Sequence, residues 1–252
     1  MPRVARKKSV SGIYHIIIRG INRQNIFEEN KDRVRFIQTI LKYREVCEYQ
    51  LYAYCLMGNH LHMLLREGRE PIETIMRRIG GSYVLWYNKK YDRVGYLFQD
   101  RFRSEPIEDD TYFLTVLRYI FQNPVKAGLV TKVQNYLWTN YMDYIEGNNR
   151  TDIDFALSML HPDGEKAVGS FIEFINQKSH DQCLDISEKR KMTDDDARKI
   201  IKEHCHVDAI DIQKLETKKR DAYLKELKEI YGLSIRQIER LTGINRGIVQ
   251  RA

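Results

Sequence analysis

The chain has 252 residues, of which 42% are hydrophobic, and a formal net charge of +7. This size predicts one substantial domain with a packed core and a smaller unit beside it. The positive charge suits a polyanionic partner, although many proteins that bind no nucleic acid are equally basic. The four cysteines form no CxxC pair, which argues against a disulfide framework or a zinc knuckle.

The chain also lacks the marks of a membrane or secreted protein. No apolar stretch reaches ~18 residues, and the N-terminus has no signal-peptide core. We therefore expect a soluble, cytoplasmic protein with no membrane partner.

The first part of the chain alternates between strand and helix patterns. Strands are expected over 12–18, 51–57, 60–66 and within 92–108, and helices over 31–49, 72–91 and from 109 to about 122. The last helix should stop before Pro124, because the residue before a proline is pushed out of the α region. The order β-α-β-β-α-β with a further helix predicts an α+β, ferredoxin-like split βαβ domain over 1–146.

The pattern changes after this domain. Gly147-Asn148-Asn149 is typical of a linker, and residues 147–216 are predicted to form a helical linker or accessory region. Residues 217–252 suggest a helix-turn-helix, with helices over 222–231, 235–241 and 246–251. Arg246 and Arg251 are its candidate DNA contacts. The alternative is a small helical accessory unit or a dimer contact.

The motif His60-Leu61-His62 lies on the predicted strand 60–66. Residues two apart on a strand share a face, so both imidazoles point to one side. Two neutral imidazoles side by side can hold a divalent metal. The alternative is a pair of polar residues with ordinary hydrogen-bond partners.

Tyr119 and Asn123 lie one helical turn apart and share a helix face. A tyrosine near a metal could attack a phosphodiester and remain covalently attached. Alternatively, Tyr119 lies at the edge of the core and Asn123 ends the helix before proline. Spacing alone does not select Tyr119 over Tyr112.

Basic and aromatic residues are interspersed along the segment from the second predicted helix to the fourth predicted strand. Four arginines could follow a nucleic-acid backbone, namely Arg77, Arg78, Arg101 and Arg103. Four aromatic residues could stack on bases, namely Tyr83, Trp86, Tyr87 and Phe98. The alternatives are core packing for the aromatic residues and a solvated surface for the charges.

Four segments, in order, resemble the single-tyrosine HUH transposases. They are HIIIRGINRQ from His15, AYCLMGNHLHML from Ala53, GYLFQDRF from Gly95 and RYIFQNPVKAGLV from Arg118. Within that family the chain is most similar to the REP-associated tyrosine transposases. The resemblance implies a ferredoxin-like catalytic domain, with Tyr119 as the nucleophile and His60, His62 and Asn123 as ligands of Mg²⁺ or Mn²⁺.

The activity that the resemblance implies is metal-dependent nicking and rejoining of single-stranded or hairpin DNA through a 5′-phosphotyrosine. The main alternative is a sequence-specific DNA-binding regulator whose catalytic domain has decayed. A ferredoxin-like RNA-binding module would need aromatic residues where the histidines lie. Whether the protein acts as a monomer or a homodimer stays open.

Overall fold

The structure is a computed structural model that describes residues 6–148, 150–179, 181, 183, 184 and 193–252. The chain divides into two compact units, residues 1–186 and 187–252. Asn149 of the predicted linker lies outside the described residues.

A four-stranded antiparallel sheet forms the centre of the first unit, with the strands in the order β2-β3-β1-β4. The strands are β1 Ile13–Arg19, β2 Gln50–Leu56, β3 His60–Arg66 and β4 Arg103–Ile107. Helix α1 Asn30–Cys47 connects β1 to β2, and helix α2 Ile72–Lys90 connects β3 to β4. This connectivity and strand order confirm the predicted α+β, split βαβ topology.

Helices α1 and α2 cover one face of the sheet. Their core contains the even-numbered residues of β1 and the odd-numbered residues of β3, because successive side chains of a strand point to opposite faces. The C-terminus of α2 contacts the N-terminus of α1 through Lys90, which forms ion pairs with Glu29 and with the buried Asp32. The hydroxyl of Tyr91 donates to the same Asp32 carboxylate at 2.8 Å.

Helix α3 Asp110–Lys126 packs on the opposite face of the sheet. It begins where predicted, with the Asp109 side chain accepting the Tyr112 N–H. The prediction that it stops before Pro124 is wrong, since the helix continues through that buried proline to Lys126. A proline removes only the bond from its own nitrogen, and near the end of a helix the following N–H groups still find acceptors. The Ala127 N–H, for example, donates to the Asn123 carbonyl at 2.9 Å.

The compact units do not follow the predicted domain boundaries at 146 and 216. Two helices of the predicted accessory region belong to the first unit, α5 Asp154–Leu160 and α6 Gly164–Asn176. The same unit contains α4 Tyr141–Glu146, which ends at the predicted boundary. Their apolar residues complete the core around α3, where the Phe171 ring stacks on Tyr144 with centroids 4.3 Å apart. Composition alone does not distinguish a linker from a helix that packs on the core, because the residues on which the helix packs are distant in the sequence.

The second unit is helical throughout its described residues. Its helices are α7 Asp194–Cys205, α8 Thr217–Glu229, α9 Ile235–Thr242 and α10 Arg246–Arg251. The Ser234 hydroxyl caps α9 as predicted, and Gly243 ends it in the left-handed conformation. Ile201 of α7 is buried in the same core as Leu224 and Ile238, which is why the unit extends well before residue 217. Helix α8 starts five residues before the predicted 222, since lysine and arginine favour a helix without adding apolar periodicity.

Three short 3-10 turns complete the described fold, at Ile21–Arg23, Val133–Asn135 and Ala209–Lys214. None of the helices in the described part of the chain is long and apolar enough to cross a membrane.

Candidate active site between the sheet and helix α3

The sheet register places both motif histidines on the face that looks toward α3. His62 pairs with Ile17, and His60 pairs with Arg19. Leu61 is buried on the opposite face, in the core under α1 and α2. The predicted alternation along β3 is therefore confirmed.

A third histidine, His15 of β1, contacts His62. The His15 Nε2 lies 3.0 Å from the His62 Nδ1, and the two rings stack with centroids 5.3 Å apart. Both side chains are 0% exposed. Burial lowers the pKa of His15 to about 3. Burial, together with the charges of His15 and His60, lowers the pKa of His62 well below its ordinary value. Both rings are therefore neutral at pH 7.

His60 lies at the start of β3 and is half-buried. Its Nδ1 is 2.7 Å from the Asn59 Oδ1, an oxygen that can only accept, so this contact requires a proton on Nδ1. The rings of His60 and His62 approach edge to face, with centroids 5.2 Å apart.

Helix α3 brings Tyr119 onto these histidines. The Tyr119 ring lies 5.7 Å from the His62 ring and 6.0 Å from the His15 ring, in edge-to-face geometry, and is 5% exposed. The Lys126 ammonium is 5.1 Å from the Tyr119 ring centroid. Asn123 follows one turn after Tyr119, and its Nδ2 is buried without a hydrogen-bond partner.

Tyr112, the other candidate on this helix, has a different environment. Its hydroxyl donates to the Glu105 carboxylate of β4 at 2.7 Å, and burial raises its pKa. The same Glu105 accepts the Leu184 N–H at 3.1 Å, and its Oε2 lies 4.0 Å from the His15 Nδ1. Sequence reasoning assigned no role to His15 or Glu105. The signal for His15 was a histidine at a core position in a run of isoleucines.

The residues present fit a divalent cation with nitrogen and oxygen ligands. The described residues contain no group of three or more His, Cys, Asp or Glu side chains arranged for a metal ion. A site here would therefore depend on His60, His62 and the Asn123 amide. The His62 Nε2, like the Asn123 Nδ2, is buried without a hydrogen-bond partner. A half-turn of the Asn123 amide exchanges its nitrogen and oxygen.

The family model of IS200-like transposases matches residues 8–123, the part of the chain that carries this site. The matched segment includes His15, His60, His62, Tyr119 and Asn123.

Two similar proteins accompany this match. A Haemophilus influenzae protein provisionally named REP-associated tyrosine transposase is 27% identical over 114 residues, which span 39% of this chain and 64% of the relative. This chain thus covers less than two thirds of the relative's length. A solved REP-associated tyrosine transposase bound to a REP hairpin is 18% identical with a TM-score of 0.49, covering 61% of this chain and 90% of that one.

Two of the predicted DNA-binding arginines of the first unit lie in an open groove of about 630 Å³ along β4. Arg101 and Arg103 line it together with Arg6 and Lys7. Burial, together with the charge of Arg101, lowers the pKa of the Arg6 guanidinium, which stacks 3.8 Å from the Phe102 ring centroid. Arg103 pairs with Ile17, which pairs with His62, so this arginine shares the sheet face of the histidines.

The other residues predicted to contact nucleic acid, on α2 and at Phe98, interact mainly within the fold. Arg78 forms a bidentate ion pair with Glu70 at 2.7 and 2.6 Å, while the exposed Arg77 donates to the Thr74 hydroxyl at 3.4 Å. Tyr83 and Tyr87 are buried in the first core, and Trp86 and Phe98 pack partly buried against it. The core interpretation of these aromatic residues is therefore the correct one.

In the second unit, the predicted Arg246 and Arg251 lie exposed on α10. The Arg251 Nε donates to the Gly247 carbonyl at 3.1 Å, and the Arg246 backbone N–H donates to Glu239 at 3.1 Å. Both arginines therefore present their charge at the surface of the helix that follows the turn after α9.

The buried histidines predict a pH dependence of stability for the metal-free protein. An unfolded histidine titrates near pKa ~6.5, so between about pH 6.5 and the lowered folded pKa the unfolded chain binds more protons. The free energy of unfolding should fall on acidification by about 1.4 kcal/mol per pH unit for each of His15 and His62. Urea unfolding in EDTA across this range measures the slope. His15→Phe should reduce the slope by about one proton, whereas His206→Asn, which removes an exposed histidine, should keep it. Equal slopes in wild type and His15→Phe would contradict the argument.

Proposed function

We propose that the chain is a metal-dependent single-stranded DNA endonuclease and strand transferase that uses Tyr119 as its nucleophile. One observation carries the proposal: the Tyr119 ring meets the His62 ring at 5.7 Å across the sheet-helix boundary. The match of residues 8–123 to the family model of IS200-like transposases supports this reaction class.

The reaction requires one bond to form as another breaks. The Tyr119 oxygen attacks the phosphorus of a phosphodiester and loses its proton, while the 3′ oxygen leaves and gains one. The resulting 5′-phosphotyrosine conserves the bond, so a 3′-hydroxyl can reverse the step and join strands without ATP. Mg²⁺ or Mn²⁺ held by His60, His62 and Asn123 would polarise the scissile phosphate and offset its developing charge.

Neutral imidazoles are what such a site needs from the protein. A protonated histidine would repel a cation, and burial keeps His62 unprotonated at pH 7. The proton on the His60 Nδ1, fixed by Asn59, leaves Nε2 as the ligating nitrogen of that ring. The Lys126 ammonium beside Tyr119 adds positive charge where the phosphate would approach.

The proposed partner is single-stranded DNA next to a REP-like hairpin, as the family resemblance implies. Arg6, Lys7, Arg101 and Arg103 form a basic groove that leads along β4 on the edge of the sheet, which suits a phosphate backbone. Arg77 remains a candidate contact, whereas Arg78 already shares its charge with Glu70. We propose Arg246 and Arg251 as DNA contacts of the second unit.

Tyr119→Phe should abolish the covalent adduct with a labelled DNA hairpin in Mn²⁺, because it removes the attacking oxygen. Stability should change by about 0.5–1.5 kcal/mol at most if a hydrogen bond is lost. Denaturing gels detect the adduct, and gel shifts test whether DNA binding persists.

Tyr112→Phe is the control for Tyr119→Phe and should keep an adduct, since the Tyr112 hydroxyl is engaged by Glu105. Peptide mapping of trapped DNA to any tyrosine other than Tyr119 would refute the assignment. DNA binding by the wild type with no adduct at all would favour the alternative of a regulator with a decayed catalytic domain.

His60→Ala should weaken Mn²⁺ binding by about tenfold or more and remove Mn²⁺-dependent cleavage. His60 is the better test because it is half-buried, whereas His62 is fully buried against His15 and its truncation would leave a cavity. Mn²⁺ titration followed by electron paramagnetic resonance measures the affinity. His206→Asn is the control, and unchanged Mn²⁺ binding in His60→Ala would count against the site.

The double variant Arg246→Ala/Arg251→Ala, made in the full chain, should weaken DNA binding and reduce the salt dependence. The slope of log K against log salt should fall by about two. Lys218→Ala/Lys225→Ala removes the same charge from exposed positions of α8 and should alter the slope less. An equal change in both double variants would remove the support for α10 as the DNA-binding helix.

A further inference from the structure

Three polar side chains form a line across three neighbouring strands. Glu105 of β4 lies 4.0 Å from the His15 Nδ1 of β1, and the His15 Nε2 lies 3.0 Å from the His62 Nδ1 of β3. Both histidines are 0% exposed, so water does not compete for the contact between them, whereas the Glu105 side chain is 32% exposed. The line ends at the His62 Nε2, which has no hydrogen-bond partner.

Two neutral imidazoles in contact share one proton, which allows two arrangements. In the first, His62 carries its proton on Nδ1 and donates it to His15, whose other proton then points from Nδ1 toward the Glu105 carboxylate. In the second, His15 donates from Nε2, so its Nδ1 lone pair faces the carboxylate and His62 must bury an N–H at Nε2 without an acceptor.

The second arrangement is the costly one. A lone pair facing a carboxylate oxygen is repelled, and a buried N–H without an acceptor loses its full hydration. The first arrangement also leaves one N–H without a hydrogen bond, at the His15 Nδ1, because the Glu105 carboxylate lies 4.0 Å away. That N–H nevertheless faces a carboxylate, which attracts it, and the vacant lone pair left at the His62 Nε2 can bind a cation. The electrostatic attraction of the Glu105 carboxylate therefore favours one tautomer of His62, two strands away.

We propose that His15 is a positioning residue, which together with Glu105 holds His62 with its proton on Nδ1 and its Nε2 lone pair directed to the cation. This inference depends on one part of the proposed function, namely that His62 is a ligand of the cation. His15 itself is no ligand, since its Nε2 is aimed at His62 and the described residues contain no converging group of three histidines.

Two further contacts hold the far end of this line. The Tyr112 hydroxyl and the Leu184 N–H both donate to Glu105, at 2.7 and 3.1 Å. These two donors orient the carboxylate while its Oε2 faces His15. Orientation of a metal-ligating imidazole by a hydrogen bond to its other nitrogen is a general requirement of histidine metal sites. Here the acceptor is a second imidazole, His15, whose own orientation depends on the Glu105 carboxylate.

Nitrogen NMR of the metal-free protein with ¹⁵N-labelled histidine tests the inference without any need for activity. In the wild type, His62 should show a protonated Nδ1 and an unprotonated Nε2. His15→Phe keeps the ring shape but removes the acceptor, so the His62 tautomer should become mixed and Mn²⁺ affinity should fall about 10–100-fold.

Two other variants keep the test independent of a folding defect in His15→Phe. His15→Gln places an amide oxygen near the Nε2 position and should restore the Nδ1–H tautomer of His62, with Mn²⁺ affinity within about threefold of wild type. Glu105→Gln leaves His15 in place but removes the charge, so the fraction of Nδ1–H at His62 should fall. His206→Asn should change neither readout.

The outcomes separate the inference from the proposed function. His62 protonated on Nε2 in the wild type, or an unchanged tautomer and Mn²⁺ affinity in His15→Phe, would overturn the role of His15 while wild-type adduct formation stood. Failure of the wild type to bind Mn²⁺ and to form an adduct would instead overturn the proposed function, whatever the tautomer of His62, and the role of His15 with it.

Discussion

The structure of the site depends on the burial of two imidazoles between the sheet and helix α3. A histidine in this position must stay neutral, because no solvent remains to stabilise its charge, and burial lowers the pKa of His15 to about 3. The hydrogen bond between His15 and His62 at 3.0 Å satisfies one nitrogen of each ring and aligns both side chains. The chemistry open to this face follows from that arrangement, because it leaves the His62 Nε2 and the His15 Nδ1 buried without a hydrogen-bond partner.

Helix α3 must be held firmly for Tyr119 to meet these rings. Its outer side is tied to the segment after α6, where Arg118 forms a bidentate pair with Asp181 at 2.8 and 3.0 Å. Both side chains are 14% exposed, so solvent screens this pair less than an ordinary surface ion pair. The Gln122 amide donates to the Ile175 and Gln177 carbonyls, which fixes the next turn. The segment after residue 146 up to Asp181 thus belongs physically to the first unit, because its contacts fix the position of α3 and of Tyr119.

Basic residues in this protein differ in how much of their charge is available to a ligand. Arg78 and Arg240 lie in bidentate pairs with Glu70 and Asp194, so their charge is largely offset within the fold. Along β4, by contrast, burial and the neighbouring charge of Arg101 lower the pKa of the Arg6 guanidinium, and the opposing charges of Glu73 and Asp100 do not cancel this effect. A count of lysine and arginine cannot distinguish these cases, whereas the pairing pattern can.

Local patterns in the sequence determined much of this protein: the strands and helices of the split βαβ unit, the caps at Asp109 and Ser234, and the shared face of His60 and His62. These features depend on periodicity and on neighbours a few residues apart. The tertiary structure alone decided that His15 meets His62, that Tyr112 is engaged by Glu105 while Tyr119 faces the histidines, and that α3 continues through Pro124. It also decided which unit the helices after residue 146 join. Each of these depends on sheet register or on packing between residues that are far apart along the chain, and such contacts leave no mark in a local pattern.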